Sequence, residues 1–122
     1  MNFVMDDMLR AKIGKDEVLR VAFKKTVLMG QYETEVYTAD TSIELPAECT
    51  GIERVIAEHM LMSQLEYGVS IKLVMKGKMS KEEWEMNTQR NEHQLNLLLD
   101  KAQALGVDVY IDKLNNWGIQ GE

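Results

Sequence analysis

The stretch from Ser80 to Leu105 constrains this chain more than any other. Counted by fours and threes from Trp84 it reads Trp84, Thr88, Asn91, Leu95, Leu98, Ala102, Leu105, a seam at heptad spacing with two polar residues inside it. Ser80-Lys81-Glu82-Glu83 is a capping box, in which the Ser80 hydroxyl and the Glu83 carboxylate each satisfy an amide left open at a helix start. Gly106 stands just past the last seam residue, where a helix ends readily in a left-handed turn. A segment marked this way at both ends is an amphipathic helix that must lay one face against a neighbour.

Thr50-Gly51-Ile52-Glu53 is a second capping box and opens a helix expected to reach about Lys76. Gly68 interrupts it at a cost of about 1 kcal/mol relative to alanine. Helices over 52–76 and 80–105 would be about 37 and 39 Å long at 1.5 Å per residue. The junction Lys76-Gly77-Lys78-Met79-Ser80 holds a stop and a start within a few residues, which predicts an antiparallel helical hairpin.

Upstream, residues 3–13 read as a short amphipathic helix. Asp16 is placed to cap another running to Met29, with Leu19, Ala22, Phe23 and Val27 as its inward stripe. From Gln31 to Thr50 the helical period disappears. Tyr32, Thr34, Val36 and Thr38 alternate with Glu33, Glu35 and Tyr37 as in an exposed strand; Asp40-Thr41-Ser42 reads as a turn, and Pro46 excludes a continuous helix. Val107, Val109 and Ile111 alternate with Asp108, Tyr110 and Asp112, so the two strands are expected to pair as a small ribbon. The expected fold is mainly α, a single domain over 1–122. A long antiparallel helical hairpin packs with two shorter N-terminal helices, beside a minor antiparallel β ribbon and a loosely held tail over 113–122.

At 122 residues such a domain can bury a core without disulfides or metal, and the lone Cys49 allows no internal disulfide. No basic leader and no run of about 20 apolar residues is present, so the expected compartment is the cytoplasm. The net charge of −6 is unevenly spread: between Thr26 and Glu53 lie Glu33, Glu35, Asp40, Glu44, Glu48 and Glu53 without one lysine or arginine. Lys72, Lys76, Lys78 and Lys81 form the opposite pole, too few for a phosphate-tracking surface. Nucleic acid and membrane are therefore not expected partners.

On a helical wheel His59, Ser63 and Glu66 share a narrow polar strip. Folding the hairpin near Lys78 brings that strip toward Arg90, Asn91 and His93. Three readings of this cluster compete: an inter-helix ion pair with Asn91 fixing the register of the seam, a pocket for a partner or small anion, and a metal or acid–base site. The third lacks HxxxH or ExxH spacing, and no glycine-rich phosphate loop, CxxC, GxSxG or dinucleotide fingerprint occurs anywhere. No metal, cofactor or catalytic residue is implied.

The wheel of Ile52 to Tyr67 carries two apolar stripes, one with Ile52, Val55 and Ile56, the other Ala57, Leu61 and Leu65. A second copy of the chain is the simplest cover for one of them, with Trp84, Asn91, Leu95, Leu98 and Leu105 as the oligomer seam. The expected function is that of a small non-catalytic adaptor or regulator, a bacterial or phage accessory protein in style, acting as a homo-oligomer on another protein. The alternative is a module sequestering a small molecule or nucleotide through the polar cluster.

Overall fold

Leu19 and Phe23 are four residues apart and also an even number apart, so residues 17–28 fit a helical stripe and a strand face equally well. In the computed structural model, which describes residues 3–109, they form a strand. Five elements follow in order: α1 (Phe3–Arg10), β1 (Glu17–Leu28), β2 (Thr34–Leu45), α2 (Gly51–Met75) and α3 (Lys81–Ala104). Of the described residues about 52% are helix and 25% strand, which replaces the expected mainly α fold with two N-terminal helices.

Pairing decided the matter for β1. Twelve antiparallel rungs join β1 to β2, from Glu17 opposite Leu45 to Leu28 opposite Thr34. Leu19, Val21, Phe23 and Val27 face inward, while Arg20, Ala22, Lys24 and Thr26 face solvent, the period of two that a half-buried strand requires. Asp40-Thr41-Ser42, expected to turn, lies in the middle of β2 opposite Ala22, Val21 and Arg20. Asp16, expected to cap a helix, accepts a hydrogen bond from the Ala47 amide at 3.0 Å and fastens the open end of the hairpin. The small ribbon expected between 32–38 and 107–111 is also overturned, because β2 pairs with β1 and Val107–Val109 is not extended into a strand. Tyr110, Ile111 and the tail over 113–122 lie outside the described residues.

α2 is the element against which the sheet, α1 and α3 all pack. Its N-terminal half carries one cluster, in which Ile52, Ile56, Ala57 and Leu61 meet Leu19, Val21 and Leu45 of the sheet and Ala102 of α3. Its C-terminal half carries the other, Val69 and Leu73 with Met79, joined by Phe23, Val27, Tyr37 and Trp84. Both apolar stripes thus find cover within one chain, except that Val55 remains 38% exposed. Arg54 pairs with Glu17 at 2.9 Å and Glu58 at 3.1 Å, tying the start of β1 to α2.

Local chemistry fixes the helix ends. The Thr50–Glu53 capping box is complete in both directions, and Ser80 accepts from the Glu83 amide at 3.0 Å. α2 ends in a Schellman motif: Gly77, at φ 72°, lets its amide reach Val74 O at 3.0 Å while the Lys78 amide reaches Leu73 O at 2.8 Å. Gly51 is required for a different reason. A Cβ there would sit 2.6 Å from the Met8 carbonyl oxygen, so the absence of a side chain is what lets α1 lie against the start of α2.

Candidate functional site

α2 and α3 run antiparallel, joined by residues 76–80, and their side chains meet in a short polar and aromatic ladder. At its distal end the rings of Tyr67 and Trp84 lie 5.7 Å apart between centroids, tilted by 49°. Next comes Glu66, which accepts from Asn91 Nδ2 at 2.6 Å and from the Arg90 guanidinium at 3.2 Å. His59 Nε2 then donates to the backbone carbonyl of Asn91 at 2.9 Å. A carbonyl can only accept, so this bond assigns the ring proton to Nε2. Ser63 donates to the His59 carbonyl at 2.8 Å, within its own helix.

The structure therefore brings together five of the six residues expected to cluster: His59, Ser63, Glu66, Arg90 and Asn91. His93 is exposed on α3 and makes no hydrogen bond or ion pair with any described residue. Arg90 stands at the rim, its side chain 54% exposed against 16% for Glu66, so this pair contributes less than about 1 kcal/mol. The seam residues Trp84, Leu95, Leu98 and Leu105 pack against the core clusters of their own chain, and each, like Asn91, remains only half-buried.

Between the two helices the ladder borders an open groove of about 650 Å³. His59, Ser63, Glu66 and Asn91 line it, as do Tyr67, Ser70, Trp84 and Glu92, whereas Arg90 and His93 do not. Ser70 was legible in principle, since it continues the strip His59, Ser63, Glu66 by one more turn. Tyr67 carried no such signal, and Trp84 was expected in the seam between helices and not beside the polar strip. The Trp84 indole N–H is buried without an acceptor, which leaves a desolvation cost at this end of the groove.

A second polar contact ties the tip of the hairpin to the helix–helix turn. Lys78 donates to Glu35 and, at 3.2 Å, to the Tyr37 hydroxyl, while Lys76 Nζ lies 5.1 Å from the centroid of the Tyr37 ring. Its hydrogen bond from Lys78 holds the Glu35 carboxyl below the usual range, and the reciprocal bond to Glu35 raises Lys78. Two of the four clustered lysines are thus engaged with the acidic segment of their own chain.

Among the described residues no group of three histidine, cysteine or acidic side chains is placed to hold a metal ion, and no helix is long and apolar enough to cross a membrane. Comparison with protein-family models, with curated proteins and with solved structures finds no match.

Proposed function

We propose that this chain is a non-catalytic interaction module. It self-associates through the tip of its β-hairpin and docks another protein on the α2–α3 groove. The observation that carries this reading is the incomplete cover of α3. Ala102 is the one fully buried residue of that helix, and every other seam position is partly open. In α2, by contrast, Ile56, Ala57 and Leu61 are at most 2% exposed. A helix so lightly held presents a long surface for a partner.

The groups that could have done chemistry are engaged in hydrogen bonds to backbone carbonyls. His59 gives its Nε2 proton to the Asn91 carbonyl at 2.9 Å, and Ser63, 3.5 Å from that nitrogen, donates to the nearer His59 carbonyl at 2.8 Å, so the nitrogen facing the hydroxyl carries a proton and is not free to act as its base. The groove's volume also suits a small molecule, which keeps the sequestering reading as the second one.

For self-association the support is an apolar group at the hairpin tip. Leu28 and Val36 are diagonal neighbours on the outer face of the sheet, 72% and 52% exposed, and Tyr32 in the connecting loop is 91% exposed. Light scattering across a hundredfold range of protein concentration tests the proposal. The wild-type chain is expected as a dimer or larger, and the double variant Leu28→Lys, Val36→Lys as a monomer with unchanged circular dichroism. A wild-type monomer throughout that range contradicts the reading.

A further inference from the structure

The sign of the charge in the groove distinguishes among its occupants. Glu66 and Glu92 line it, and no lysine or arginine does. Arg90 reaches Glu66 from outside, through an exposed pair that a competing cation can replace at small cost. An anion, expected when Arg90, His59 and His93 were grouped together, finds two of those three groups off the groove.

The other walls suit a cation equally well. Tyr67 and Trp84 stand at the end next to Glu66, and an ammonium or guanidinium group beside aromatic faces gains attraction from the ring quadrupole, most of all from tryptophan. Ser70 supplies an independent observation. It is 2% exposed and lines the groove, so its hydroxyl can accept from a donor that enters there.

We infer that the distal half of the α2–α3 groove, formed by Glu66, Tyr67, Ser70 and Trp84, receives the cationic end of a lysine or arginine side chain from a partner protein. The inference rests on the reading of this groove as the docking face. A guanidinium fits best: it is planar, stacks on aromatic rings and presents a fork of donors to a carboxylate and a hydroxyl together. The groove is open along its side, so a side chain still attached to its backbone can enter.

The test is titration with capped glycine-flanked arginine and lysine tripeptides, with ethylguanidinium and butylammonium chloride, and with acetate and phosphate as anionic controls. The readout is Trp84 fluorescence in a Trp117→Phe background, together with the melting temperature. The two cationic peptides are expected to bind and the anions not to. Glu66→Gln, which keeps an oxygen for Asn91, should weaken binding roughly tenfold or more. Ser70→Ala should weaken it a few fold.

Arg90→Ala decides the sign. Removing a competing cation should tighten peptide binding about two- to fivefold, whereas a site for anions would be weakened by the same change. Binding of anions, or of neither class, overturns the inference. Binding of the free cations without the peptides overturns the partner side chain as their source. The self-association measurement is read separately: an oligomer that binds no cation removes this inference alone, whereas a monomer removes the wider reading.

Discussion

Ile56→Ala lowers the stability of the chain by roughly 3 kcal/mol, while Val55→Ala, one residue away, changes it by less than about 0.5 kcal/mol. Ile56 is 0% exposed and belongs to the cluster that unites the sheet, α2 and Ala102 of α3. Truncating it removes three buried carbons and leaves a cavity that three separate elements would have to close. Elements fixed by a twelve-rung hairpin and two capped helices cannot all move inward, so most of the cavity persists. Val55 is 38% exposed and loses little. Urea unfolding followed by circular dichroism checks both variants, with the midpoint shifting for Ile56→Ala and the slope unchanged. Equal losses at the two positions would mean that the broad stripe containing both residues is buried as a unit, as the helical wheel alone suggests.

Glu53→Ala is expected to destabilise by roughly 2–4 kcal/mol, an unusual cost for a glutamate in the first turn of a helix. The side chain is 1% exposed, and its Oε1 accepts from the Thr50 amide at 3.0 Å and from the Thr50 hydroxyl at 2.9 Å. Thr50 Oγ1 in turn accepts from the Glu53 amide at 3.3 Å. Alanine takes away the acceptor for two donors in a half-buried corner where α1 and the end of β2 also meet, so water cannot fully replace it. It removes as well a negative group at the positive end of the helix dipole. Glu53→Gln keeps an acceptor oxygen and should show a clearly smaller loss. Were the two variants equally unstable, the charge rather than the hydrogen bonds would be the controlling feature.

The contrast between those helix ends and β1 shows what a single sequence of this kind carries. Capping boxes and left-handed glycines act within four or five residues, so Thr50, Glu53, Ser80, Glu83, Gly77 and Gly106 marked their helix ends without reference to the remainder of the fold. Residues 17–28 depended on a partner. Leu19, Phe23 and Val27 satisfy both periods, and only the length of β2 beyond Asp40 makes the strand the better choice. Asp40-Thr41-Ser42 reads alone as a turn, and a turn there would leave Arg20, Val21 and Ala22 without partners. The same dependence governs the groove. His59, Ser63, Glu66, Arg90 and Asn91 could be grouped from equal rise on two antiparallel helices, but which of them line the space between the helices is set by side-chain direction. Arg90 turns outward and His93 faces solvent, and the sign of the groove follows from those two orientations.

α2 can present one wall to α3 and the groove only because the β-hairpin covers its other side. Solution NMR tests that arrangement most directly. The account predicts extended backbone shifts over 17–28 and 34–45, cross-strand contacts between Val21 and Thr41, and contacts between the rings of Tyr67 and Trp84 in the same molecule. Helical shifts over 17–28, or an aromatic contact seen only between molecules, would contradict it.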